Sequence, residues 1–157
     1  MENLEKEVTA ITQPVICVNN PAKFRPGFSV KAFVQKILDL KHIKSGSFSF
    51  TFIKDEEIKQ LNHNYLGKDY ATDILSFNLA EKDKAVIGDV YISVEQARVN
   101  AREFNNNFKN EIKLLLIHGI LHLLEYRDYN EKERKVMFNE QQRLLELAAA
   151  PKKNSKA

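Results

Sequence analysis

Residues 118 to 128 read His-Gly-Ile-Leu-His-Leu-Leu-Glu-Tyr-Arg-Asp. His118 and His122 are four apart, and four helical residues turn the chain by about 400°, so both imidazoles leave one face, a turn apart. That is the geometry two histidines need to grip one metal ion. Asp128 follows six residues later, past the expected helix end, where a chain reversal can return it as a third ligand. Two histidines and a carboxylate leave a coordination position open for water, which points to catalysis more than to structure. His-x-x-x-His alone is a weak signal, since ordinary core and surface histidines show it too. Three features favour ligation here. The stretch is very apolar (Leu114, Leu115, Leu116, Ile117, Ile120, Leu121, Leu123, Leu124), so neutral buried histidines need partners. Only His42 and His63 stand elsewhere. Gly119 is expected to leave the approach to the pair uncrowded.

Working outward, Ser93 is a good N-cap for a helix through Phe104, with Gln96 completing a capping box. Asn105 to Asn107 break that helix, and residues 109 to 125 form the helix of the histidine pair. Glu131 to Leu147 form a last helix, with Val136, Met137, Gln141, Leu144, Leu145 and Leu147 near one stripe. Upstream, Phe48, Phe50 and Phe52 alternate with Ser47, Ser49 and Thr51, the period of a half-buried strand. Residues 29 to 41 carry a helical stripe with Ser29 as N-cap, and Asp55 is expected to cap a short helix with Ile58, Leu61 and Tyr65. Residues 14 to 19, 73 to 78 and 85 to 93 read as further strands. Four strands and about five helices, without strict βαβ alternation, predict an α+β fold with a mixed four-stranded sheet.

A chain of 157 residues is one domain by length. Residues 1–150 are read as that domain and residues 151–157 as a disordered basic tail. No run approaches eighteen apolar residues, so no transmembrane helix is expected. The first residues are acidic and lack an apolar core, which predicts no signal peptide. Cys17 is the single cysteine, which fits a reducing cytoplasm. The net charge of +3 equals the contribution of Lys152, Lys153 and Lys156, so residues 1–150 are formally neutral. Global charge therefore does not argue for nucleic acid, and any such surface must be a local patch.

Thr72-Asp73 is expected to open its strand with local backbone bonds, and Gly88-Asp89 to mark a bulge or a close backbone approach. Lys68 is the cation of the loop before Thr72, and Arg127 lies between the ligand candidates. Most exposed lysines are merely solvated, and Lys68 alone is not singled out; Arg127 can bind phosphate and can equally pair with Glu125 or Glu131.

Taken together these pieces resemble the YbeY family of metal-dependent endoribonucleases. The family's His-Gly-x-Leu-His-Leu-x-Gly-Tyr-Asp-His element is matched by His118, Gly119, Leu121, His122, Leu123 and Tyr126. Its Asn-x-x-Tyr-Arg element leading into Thr-Asp-Val-Leu-Ser-Phe is matched by Asn62, Tyr65, Thr72, Asp73, Leu75, Ser76 and Phe77. Gly88, Asp89 and Val90 match its Gly-Asp-Ile strand, and Met137, Phe138 and Glu140 match the last helix. Three positions depart. The third histidine ligand is Asp128, a carboxylate that still binds Zn²⁺. The glycine before Tyr126 is Glu125, which is less at ease at a left-handed helix end by about 1 kcal/mol. The arginine after Tyr65, thought to handle RNA phosphate, is Leu66, leaving Lys68 or Arg127 as candidate substitutes.

The resemblance implies a zincin-like metal-dependent hydrolase fold and one Zn²⁺ per chain, or another divalent metal. It implies a single-strand-specific endoribonuclease in the cytoplasm, acting with the small ribosomal subunit and assembly factors. The implied process is ribosomal RNA processing, at the 3′ end of the small-subunit RNA, and ribosome quality control. A non-catalytic ribosome-assembly protein with a metal site is the alternative, favoured by Leu66. A zinc metalloprotease ranks lower, because the glutamate such enzymes place after the first histidine is Gly119 here.

Overall fold

The computed structural model describes residues 13–150. The acidic first residues, on which no signal peptide is expected, and the basic tail 151–157 lie outside the described residues. Four strands form one sheet: β1 (Val15–Asn19), β2 (Ser47–Ile53), β3 (Ile74–Asn78) and β4 (Ile87–Ser93). The spatial order is β1-β2-β4-β3. β1, β2 and β4 run parallel and β3 pairs antiparallel at the edge, so the sheet is mixed as expected. Five helices are present among the described residues: α1 (Val30–Leu40), α2 (Asp55–Leu66), α3 (Val94–Glu103), α4 (Phe108–Leu123) and α5 (Glu131–Ala149).

Strand periodicity decides which side chains meet which helices. Phe48, Phe50 and Phe52 are all buried, and their register partners on β4 are Gly88, Val90 and Ile92. Ile74 and Ser76 of β3 pair with Ile92 and Val90, and so share that face. Against it lies α4, apolar nearly all round as a centrally buried helix must be. Leu116, Ile117, Ile120 and Leu121 are fully buried, and each contributes about 1.5–3 kcal/mol. α1 and α5 complete this core through Val34, Ile37, Leu38, Met137 and Leu144. A smaller cluster of Ile53, Ile58 and Leu75, with Phe77 and Tyr91 against it, seats α2 beside the edge strand.

Glycine lets α4 approach the sheet. A Cβ on Gly88 would stand 2.4 Å from Leu123 Cδ1, and one on Gly119 would stand 3.0 Å from both Ile74 Cδ1 and Val90 Cγ1. Gly88 keeps regular pairing on both sides, so close approach rather than a bulge explains it. Gly119 therefore serves the helix–sheet contact, not the approach to the histidines.

Two capping expectations are corrected. The N-cap of α2 is Lys54, which makes no side-chain cap bond. The Asp55 carboxylate instead accepts bonds from Ser93 Oγ (2.6 Å) and Gln96 Nε2 (3.0 Å), tying α2 to the start of α3. Ser93 does cap α3 by accepting from the Gln96 amide. The Gln96 side chain goes to Asp55, so the reciprocal half of the box is not made. No described helix is long and apolar enough to cross a membrane.

Candidate metal centre and cleft

The end of α4 is built to bring the chain back onto its own last turn. Glu125 takes φ +72, in the left-handed region. Its amide donates to the His122 carbonyl and the Tyr126 amide donates to the Leu121 carbonyl. These two bonds are a Schellman closure, with a glutamate at the position that favours glycine. Relieving the strain with Glu125→Gly should raise stability by about 1 kcal/mol, read as a higher urea midpoint at unchanged slope.

That reversal shapes the site. The Tyr126 carbonyl reaches back to His122 Nδ1 at 3.0 Å. Two residues on, Asp128 Oδ2 lies 3.6 Å from His122 Nε2. The Tyr126 hydroxyl anchors the loop from the other side: Lys41 Nζ donates to it at 2.8 Å, and it donates to Glu140 Oε2 at 3.2 Å. Burial alone would raise the Glu140 pKa, but bonds from Arg143 and Lys41 outweigh it and hold the carboxyl below its ordinary value. Arg134 donates to the Asp128 carbonyl, and Asn130 caps α5 through the Glu133 amide.

His118, His122 and Asp128 each offer a ligand atom, and these atoms lie within 4.8 Å of one another. The tautomers test whether a cation fits. His118 Nδ1 meets Gln141 Oε1 and His122 Nδ1 meets the Tyr126 carbonyl. Both partners are acceptors, so each Nδ1 carries the proton and each Nε2 is a bare lone pair. Those two Nε2 atoms face each other at 2.9 Å. Two lone pairs that close repel unless positive charge sits beside them. Protonation is a poor source of it, because burial and then His118 push the His122 pKa down, against smaller upward pulls from Asp128 and the Tyr126 carbonyl. The donor set of two imidazoles and a carboxylate fits a divalent cation.

The triad borders a cleft of about 620 Å³ that also takes in Thr72 and Asp73, Ile74 to Phe77 of the edge strand, Lys68, Tyr70, Arg127 and Tyr129. Lys68 and Arg127, read from separate loops, are thus brought to one cavity. Leu66 lines it as well and is 49% exposed. Asn62, buried, donates to the Tyr70 carbonyl at 2.9 Å and pins the loop that carries Lys68. Asp73 does not make the local backbone cap expected of its side chain; its Oδ2 accepts from Asn100 on α3 at 2.9 Å. Gln141 and Arg134 support the triad from α5 and were not singled out as site residues in the sequence. Gln141 carried the only signal, a polar side chain near an apolar stripe.

The family model described as endoribonuclease YbeY matches residues 18–149. The endoribonuclease YbeY of Persephonella marina is 43% identical over 122 residues, covering 74% of this chain and 80% of that one. The same-named protein of a Geobacillus species is 36% identical over 120 residues, covering 69% of this chain and 77% of its own. A Thermotoga maritima protein solved in solution superposes with a TM-score of 0.64 at 32% identity, covering 87% of this chain and 89% of that one.

Proposed function

We propose that this chain, which belongs to the endoribonuclease YbeY family, is a metal-dependent endoribonuclease that cuts single-stranded RNA within ribosomal RNA precursors. The observation that supports it most is the triad of His118, His122 and Asp128 beside a cleft that also holds Lys68 and Arg127. A bound Zn²⁺ would polarise a phosphoryl oxygen and bring the pKa of a water to roughly 7. The chain's own groups do the rest. Gln141 and the Tyr126 carbonyl hold both rings in the tautomer that offers Nε2. Arg134 steadies the backbone of Asp128. Lys68 and Arg127 are the proposed phosphate-handling cations. The same reading places the protein in the cytoplasm, acting with the small ribosomal subunit and its assembly factors at the 3′ end of the small-subunit RNA.

The test is cleavage of an end-labelled single-stranded RNA and its duplex by purified protein, before and after chelation. Internal cuts in the single strand, lost with chelator and restored by Zn²⁺, are the expected result. Cutting that persists in chelator would overturn the metal dependence. Binding without cutting would favour the non-catalytic assembly protein, the reading that Leu66 supports. Leu66→Arg should then raise cleavage, since the exposed position adds a guanidinium to the cleft at little cost to folding.

Ligation needs neutral imidazoles, so acid should displace the metal. His122 titrates below its ordinary value, so the neutral form persists down to that pH. Zinc content should be unchanged between about pH 8 and 7 and fall only below about 6.5, the ordinary histidine value. Elemental analysis after dialysis at stepped pH checks this; release already above neutrality would contradict it.

A further inference from the structure

Two loops reach the cleft with the same three-residue pattern, Lys68-Asp69-Tyr70 and Arg127-Asp128-Tyr129. In each, a cation is followed two positions later by a tyrosine. Both cations and both tyrosines line the one cavity that holds the triad. The rings are open to solvent: Tyr70 is 55% and Tyr129 80% exposed. A single exposed tyrosine is unremarkable. Two that converge on one cleft from separate loops, each beside its own cation, are a repeated unit. The backbones that carry them are tied down, the Tyr70 carbonyl by Asn62 and the Asp128 carbonyl by Arg134. The Arg127 guanidinium stands over the Tyr129 ring, 6.0 Å from its centre and at the outer limit of a cation–π contact, while the residue as a whole stays mostly exposed.

We infer that each loop is a nucleotide subsite, with Lys68 and Arg127 taking phosphate oxygens and Tyr70 and Tyr129 stacking on the bases that flank the phosphodiester over the triad. The inference rests on the endoribonuclease reading and deepens it. An i, i+2 pair on an extended loop is separated by about 7 Å, a reach that lets one loop address both the phosphate and the base of one nucleotide. Stacking tolerates any base, since every base has a π-face. It demands bases that are out of a duplex, because paired bases are already stacked on their neighbours. Selection of single strands would thus come from two aromatic side chains rather than from base-edge recognition.

The test uses a short single-stranded RNA with 2-aminopurine, whose fluorescence stacking quenches, on one side of the cleavage position. Binding is read without metal and cleavage with it, for wild type and for Tyr70→Ala, Tyr129→Ala, Tyr70→Phe and Tyr129→Phe. Quenching by wild type is expected, with each Ala variant binding about tenfold more weakly and each Phe variant like wild type. An abasic nucleotide at the matching flank should cost wild type the same tenfold and cost the corresponding Ala variant nothing further. Ala variants that bind as wild type, or Phe variants that fall as far as Ala, overturn the subsites. If wild type cleaves while the Ala variants bind normally, the subsites fail and the nuclease reading stands. If wild type quenches the probe through both tyrosines yet never cuts, the nuclease reading fails and the subsites stand.

Discussion

Replacing His118 and His122 together by alanine should remove the bound divalent metal and lower RNA cleavage by about a thousandfold or more, with the helical circular-dichroism signal kept. The loss follows from the cation's share of the barrier: several kcal/mol of charge stabilisation, at tenfold per 1.4 kcal/mol. The retained fold follows from where the stability resides. Leu116, Ile117, Ile120 and Leu121 of α4 are fully buried in one core with the phenylalanines of β2, whereas His118 and His122 are only part-buried and line the cleft. Removing the imidazoles also removes the opposed Nε2 lone pairs. The Gln141 amide loses one bond, but Gln141 is itself part-exposed and can turn to water. Chelation of the wild type should leave the fold intact for the same reason. Collapse of the helical signal in either experiment would make the site structural, and unchanged metal content in the variant would move the ligands elsewhere.

The parts of this molecule that were legible in the sequence are those set by short-range geometry. The 2.0 period of Phe48, Phe50 and Phe52 names the buried face of β2, and that face is buried. The four-residue spacing of His118 and His122 places both rings on one side of α4, and the Nε2 atoms converge. The run Asn105 to Asn107 was read as a helix break, and it is one: Asn105 takes φ +49 just past the end of α3. Glu125 was expected to be ill at ease where the family has glycine, and its φ of +72 gives the reason. What stayed hidden depends on the third dimension. Gln141 orients His118 across 23 residues of sequence, and no local pattern ties the two. Asp55 looked like a helix cap because aspartate before a helical stripe usually is one. Its carboxylate is instead drawn to Ser93 and Gln96, which only the packing of α2 beside α3 brings near. Asp73 was missed for the same reason, its partner being Asn100 on a different element. The shared Lys-Asp-Tyr and Arg-Asp-Tyr pattern lay in plain view, yet it carries meaning only once both loops are seen to border one cleft.

Gly119→Glu writes the His-Glu-x-x-His motif of a zinc protease into this helix, and it should destabilise the protein by about 2–6 kcal/mol without creating a peptidase. The glutamate of a protease must reach a water beside the metal. Position 119 faces the sheet instead. Its Cβ would be 3.0 Å from Ile74 Cδ1 and Val90 Cγ1 and 3.3 Å from Ser76 Oγ. Alanine there gains about 1 kcal/mol of helix propensity and gives much of it back to crowding, so Gly119→Ala should be close to neutral. Glutamate adds a longer side chain to the same gap, an overpacking cost of about 1–3 kcal/mol. Its carboxyl would be forced into the helix–sheet contact that buries Gly119, which adds a desolvation cost of about 1–3 kcal/mol. Against a total stability of about 5–15 kcal/mol that is a large fraction. The strain also acts through function, because a helix pushed off β3 and β4 carries both histidines with it. Urea denaturation of the Ala and Glu variants, with zinc content measured on each, reads both effects. A stable, zinc-loaded Gly119→Glu protein that cleaves peptides would mean that position 119 can face the cleft, and that the helix sits on the sheet with a freedom the Ile74 and Val90 contacts deny.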